Sequence, residues 1–239
     1  MAHWVTPGAA AEQRPSGPPP IVLLGAMSAM GALGTHTLMP ALPGLVIELG
    51  TTPELVQMTI SIFLISIAVS QIVVGPIADR FGRRTVLMTG LAIFILSSIG
   101  CAFAPSIELL IAGRILQGAS SCVGLVVARL LLRDLFSSAA ATSKLGFITT
   151  CVSLVPTTGP IVGGLLFQSF GWTGIFWFLA LFAGVIMLGA AVLVREPPQP
   201  ASAAPRPPLP IGRAYGTLLG DADFLCFFAI IGIVTGAFY

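Results

Sequence analysis

Six apolar runs, each long enough to cross a bilayer as a helix, constrain the fold of this chain more than anything else in it. A crossing takes about 20 residues of α-helix. The runs cover about 21–43, 55–76, 85–104, 108–131, 145–168 and 172–194, and a seventh begins near Asp223 and is still apolar at Tyr239. Hydrocarbon offers no partner to open backbone groups, so spanning segments are helices or closed barrels. Barrel strands alternate in polarity over about ten residues, and these runs do not. Only 8% of the 239 residues are charged and 56% are apolar, whereas a soluble domain carries about 25% charge. The sequence predicts an all-α membrane protein.

Charge sets the expected orientation. With the N-terminus in the cytoplasm, the inner segments hold Arg14, then Arg80, Arg83 and Arg84, then Arg129, Arg133 and Lys144, then Arg195, Arg206 and Arg213. The outer loops hold Glu48, Glu54 and Glu108 and no basic residue. Of the 11 basic residues only Arg114 falls deep within a span, Arg129 standing at the inner end of the fourth. Short basic loops stay in the cytoplasm. The chain then reads as a disordered cytoplasmic tail over 1–20, a six-span bundle over 21–194, a cytoplasmic Pro-rich linker over 195–222, and the start of a truncated seventh span over 223–239. Pro197 and Pro198 stop the sixth helix, because proline lacks a donor and clashes with the preceding turn.

The loop after the second run reads Gly75-Pro76-Ile77-Ala78-Asp79-Arg80-Phe81-Gly82-Arg83-Arg84. Gly75 and Gly82 allow close backbone approach, and Gly82 suits a turn with positive φ. The decapeptide resembles the signature of the major facilitator superfamily, between its second and third spans. That resemblance implies the six-helix N-terminal bundle of the family fold, built from two inverted three-helix repeats. Gly75-Pro76-Ile77 recurs as Gly159-Pro160-Ile161 in the fifth run, which fits such a repeat. The resemblance also implies that Asp79 pairs with a loop arginine, with Arg83 and Asp134 as partners by position. The pairing latches the cytoplasmic side against a helix of a second six-helix half. The bland reading is that the arginines only hold the loop inside.

Three further constellations bear on transport. Arg114, Gln117 and Ser121 share one helix face. An arginine in mid-bilayer costs roughly 2.5–3.5 kcal/mol on insertion scales, so it should face the bundle interior or a wet cavity; the bland reading is that it snorkels to the outer headgroups. This matches the superfamily's arginine motif, which is linked to proton coupling. Pro156, Gly159, Pro160, Gly163 and Gly164 in the fifth run resemble the antiporter motif of the exporters, with Val155 where a glycine often stands. Prolines bend the rod and glycines pack it tightly. Thr35-His36-Thr37-Leu38-Met39-Pro40, and Arg133-Asp134-Leu135-Phe136, resemble the bicyclomycin-resistance branch of drug:proton antiporters. Those exporters usually carry an aspartate where His36 stands, and no carboxylate lies in the interior of any of the six runs, Glu108 standing at the outer end of the fourth. Histidine titrates near pH 6.5 and can carry a proton; equally, a neutral histidine can bond a helix carbonyl.

The resemblance therefore implies a proton-coupled exporter of small amphipathic compounds, working by alternating access in the bacterial inner membrane. The expected partners are a small-molecule substrate, protons, the bilayer and a C-terminal half. Open alternatives are a non-transporting or half-transporter fragment, and an uptake or facilitative member. No phosphate-binding loop, metal-ligand spacing or catalytic triad is present, so no enzyme activity, cofactor, metal or nucleic-acid partner is expected. Cys101, Cys122, Cys151 and Cys226 all lie in apolar runs and read as small core residues.

Overall fold

A computed structural model describes residues 19–194 and Ala229. Of the tail expected over 1–20, residues 1–18 lie outside the described residues, as do the linker over 195–222 and, apart from Ala229, the seventh span. All regular structure among the described residues is helical. The first span is α1 (Ile21–His36), a short turn of tighter helix (Met39–Ala41) and α2 (Leu42–Glu48). Then come α3 (Pro53–Phe81), α4 (Arg83–Ala102), α5 (Ile107–Leu135) and α6 (Ser138–Leu193).

Helix α6 makes two crossings. Gly171 leaves the helical region at φ 69°, ψ −173°, a conformation open to glycine because it has no Cβ. The arms 138–170 and 172–193 run antiparallel. Phe147 near the start of the first arm and Gly189 near the end of the second both lie against the beginning of α1, at Gly25 and Leu23. Trp172, just past the corner, reaches Glu48 at the opposite end. Six crossings result among the described residues.

Three expected boundaries need correction. The first span runs on to Glu48 rather than 43, and it narrows to a tighter helical turn over Met39–Ala41 while Thr37, Leu38, Ala41 and Leu42 keep right-handed helical dihedrals; Pro40 cannot supply the N–H that a regular α-helical ladder needs there. The basic decapeptide is not a loop. Gly75 to Phe81 belong to α3, Arg83 and Arg84 open α4, and Gly82 alone, at φ 89°, joins them. The fifth span begins at Ser138, not near 145, and its dihedrals stay helical through Pro156 and Pro160.

Backbones meet closely where glycines allow it. A Cβ at Gly124 of α5 would run into the carbonyl oxygen of Met27 in α1, and one at Gly118 into that of Phe63 in α3. With no water to expel in hydrocarbon, such contact supplies much of the packing attraction. The outer surface is apolar: Leu181, Val185, Leu188 and Val192 recur along one face of the second arm of α6, each more than 60% exposed. A stripe of that kind is stable facing lipid, not water. The chain is a multi-pass membrane protein.

Candidate functional site: a broken first span and a charged end

The α-helical ladder of the first span is interrupted after His36, inside the bundle, although the chain keeps helical dihedrals on into α2. Pro40, four residues after His36, has no N–H to give the His36 carbonyl. Thr37 returns its N–H to Leu33 at 3.0 Å. Arg114 of α5 donates from Nη2 to the carbonyl oxygen of Gly34 at 3.0 Å, so a cation faces the broken end. The same guanidinium donates from Nη1 to Gln117 Oε1 at 2.6 Å and from Nε to the Thr59 carbonyl in α3 at 3.4 Å. It lies 3.8 Å from the centre of the Phe63 ring. Gln117 in turn donates to Ser98 Oγ of α4 at 2.7 Å, and Ser98 donates to the Phe94 carbonyl at 2.7 Å. One arginine thus ties α1, α3 and α5 directly and α4 through Gln117.

Arg114 and Gln117 are both 0% exposed. Burial without partners would make this cation prohibitive; here neutral oxygens and an aromatic face satisfy it. Within the bundle the guanidinium is enclosed. Ser121, the third member of the face, donates to the Gly118 carbonyl at 2.9 Å and stands near Gly31 of α1.

His36 is the last residue of α1 and is buried. Gly159 of α6 backs onto it: a Cβ there would lie 2.8 Å from His36 Cβ. One turn on, a Cβ at Gly163 would collide with the carbonyl oxygen of Thr37. Gly164 has open space beside it. Pro156 and Pro160 sit on the same arm, half-buried. The structure therefore brings three separate sequence features to one place. The arginine face of α5, the histidine of the first span and the glycine pair of α6 all meet the break around 34–37.

The second cluster lies where α3 and α5 end and α4 begins. Arg83 forms an ion pair with Asp134 of α5 and reaches Asp79 Oδ1 at 3.2 Å. It also donates from Nη1 to the Leu130 carbonyl at 3.0 Å. Asp79 and Asp134 do not need to touch, because Arg83 bridges them. Both carboxylates stand at helix C-termini and Arg83 at a helix N-terminus. Each charge is at the end its helix dipole disfavours, by about 0.3–1 kcal/mol apiece. Mutual pairing, together with the bond from Arg83 to the Leu130 carbonyl, offsets that cost. Arg84 donates to the Ala191 carbonyl at 2.8 Å, fastening the second arm of α6, and Arg80 lies 5.3 Å over the Phe81 ring. Gly75 has open space around it.

Sequence reasoning missed Phe63, Ser98 and the Gly34 carbonyl as partners of the buried face. It also missed Trp172, whose Nε1 donates to Glu48 Oε2 at 2.7 Å and pins the end of the first span to the corner of α6. The Gly171-Trp172 pair between two apolar runs was the available signal. Among the described residues no cluster of His, Cys, Asp and Glu is suited to a metal ion.

Known proteins agree with this architecture. The Major Facilitator Superfamily model matches residues 22–239. The chain is 30% identical over 219 residues to the MFS-type transporter YdgK of Bacillus subtilis, covering 90% of the chain and 54% of that protein. It is 35% identical over 174 residues to the chloramphenicol resistance protein of Pseudomonas aeruginosa, covering 72% and 41%. It is 30% identical over 212 residues to multidrug resistance protein D of Escherichia coli, covering 88% and 52%. The chain spans about half the length of the curated relatives it matches. It belongs to the Major Facilitator Superfamily.

Proposed function

We propose that this bundle is the N-terminal six-helix half of a secondary active exporter. On this reading it moves small amphipathic compounds out of a bacterial cell, across the inner membrane, in exchange for protons. The N-terminus and the Arg83 end lie in the cytoplasm, as the gathering of cations there favours. A second six-helix half closes the path, and the two rock between inward- and outward-open states. The Arg83–Asp79–Asp134 cluster serves as the inner latch and is broken when the inner side opens.

One observation carries this reading: Arg114, His36 and the Gly159–Gly163 pair converge on a break in the first span. A break inside a spanning helix is a place where backbone ends can act on a substrate or ion. Arg114 holds that end fixed, and the glycines let the fifth crossing slide against it. Met39, exposed beside the break, adds a polarisable, adaptable surface of the kind that tolerates varied apolar ligands. His36 is the candidate proton carrier, being the one titratable side chain that changes charge between about pH 5 and 8 within the described spans. The resistance proteins among the relatives support export. The resemblance to the bicyclomycin-resistance branch makes drug:proton exchange the specific form proposed.

The test is accumulation of a fluorescent amphipathic cation by everted vesicles carrying the chain together with a second half. Accumulation should rise when a proton gradient is imposed and collapse when it is dissipated. Accumulation that ignores the gradient overturns the coupling, and uptake in the reverse direction overturns export.

A further inference from the structure

A second group of cations at the Arg83 end takes no part in the latch. Arg129 and Arg133 stand one turn apart on α5, both exposed, and among the described residues neither forms an ion pair. The nearby carboxylate, Asp134, is taken by Arg83. Between these arginines and the start of α6 lies an open cavity of about 580 Å³. Arg129, Arg133, Ser138 and Thr142 line one part of it, and Phe136 and Leu145 another. Lys144 sits 4.6 Å over the Phe136 ring at the same place. Helix α6 begins there, and its cap residue Ser137 makes no side-chain hydrogen bond to the first turn, so its opening N–H groups add positive potential.

Three cations with no free carboxylate beside them among the described residues call for an anion. Guanidinium forks suit phosphate oxygens better than an ammonium does. The apolar wall calls for hydrocarbon next to that anion. The helix ends place the pair at the depth where headgroups meet acyl chains. We propose that this cavity binds the phosphate headgroup of an anionic glycerophospholipid, with Arg129 and Arg133 on the phosphate and Phe136 and Leu145 against the first acyl carbons. Basic pockets between spanning helices suit such headgroups in general. The site is separate from the broken first span, and its occupancy does not depend on whether the chain exports anything. Lipid bound there braces the α5–α6 connection and leaves the Arg83 cluster untouched.

The test uses the purified, delipidated chain in detergent, with lipid adducts counted by native mass spectrometry. Phosphatidylglycerol should bind well above phosphatidylcholine, which carries no net charge. The double variant Arg129→Gln, Arg133→Gln should lose phosphatidylglycerol affinity by about 10- to 30-fold, from about fivefold per surface cation. Arg129→Lys with Arg133→Lys should keep most of it, and Arg80→Gln should change it less than about twofold. Equal binding of the two lipids overturns the proposal, as does wild-type affinity in the glutamine pair. Displacement of the lipid by equimolar glycerol 3-phosphate would also overturn it, showing a site for free anions. Circular dichroism checks folding; if the glutamine pair unfolds, the comparison of lipids on the unaltered chain and the lysine pair decides.

Discussion

Arg114 Nη2 donates to the carbonyl oxygen of Gly34 at 3.0 Å, joining a buried cation on α5 to the last turn of α1. Insertion and folding then respond oppositely to Arg114→Ala. Removing a charge from a span favours insertion by roughly 2.5–3.5 kcal/mol. Folding loses the hydrogen bonds to Gly34, Thr59 and Gln117 and the contact with Phe63. Orphaned buried acceptors cost about 1–3 kcal/mol. The variant should reach the membrane at normal levels and unfold in detergent about 2–3 kcal/mol more readily. Arg114→Lys should fall between, since a single ammonium cannot serve acceptors on three sides. Thermal unfolding in detergent reads both.

Arg83 should couple more strongly to Asp134 than to Asp79. The Asp134 side chain is 28% exposed and that of Asp79 63%. Water screens the second pair, and surface pairs contribute about 0.2–1 kcal/mol. Double-mutant cycles with Arg83→Gln against Asp134→Asn and Asp79→Asn should give roughly 1 kcal/mol for the first pair and a few tenths for the second. Equal couplings would contradict the geometry.

Neighbouring glycines in α6 should behave differently. Gly163→Ala drives a methyl into the Thr37 carbonyl, whereas Gly164→Ala enters open space. Overpacking costs about 1–3 kcal/mol, and alanine at an uncrowded helical site is neutral or slightly stabilising. Stability measurements on the two variants should separate them by at least about 1 kcal/mol.

Orientation is open to direct labelling. With the four native cysteines replaced, Phe81→Cys should react with a membrane-impermeant thiol reagent only from the cytoplasmic side. Phe103→Cys, at the far end of α4 and 70% exposed, should react only from outside. The reverse pattern would place the Arg83 cluster outside the cell.

Much of this architecture was readable as sequence, because lipid imposes a coarse rule: long apolar runs become helices, and each crossing returns the chain to the other side. The runs located all six crossings, and the spacing of Arg114, Gln117 and Ser121 placed them on one face. Register at the ends was less legible. The decapeptide looks like a loop because it is charged, yet helix runs through Arg80, and Gly82 alone turns the chain. Arginine stems let charged groups end a spanning helix without ending the helix itself. Long-range partners were hidden altogether. Nothing local in the sequence says that Arg114 meets the carbonyl of Gly34, 80 positions away, or that Trp172 meets Glu48 across 124. Such contacts follow from how helices stack, and a carbonyl has no letter of its own in a sequence.

The account stands or falls on the joint between Arg114 and the broken first span. The direct measurement is gradient-driven accumulation in everted vesicles by Arg114→Ala, paired with a second half and matched to the unaltered protein for amount in the membrane. The variant should accumulate no fluorescent cation above vesicles lacking the protein, although it is inserted and helical. Accumulation at the unaltered rate would show that export does not pass through this joint.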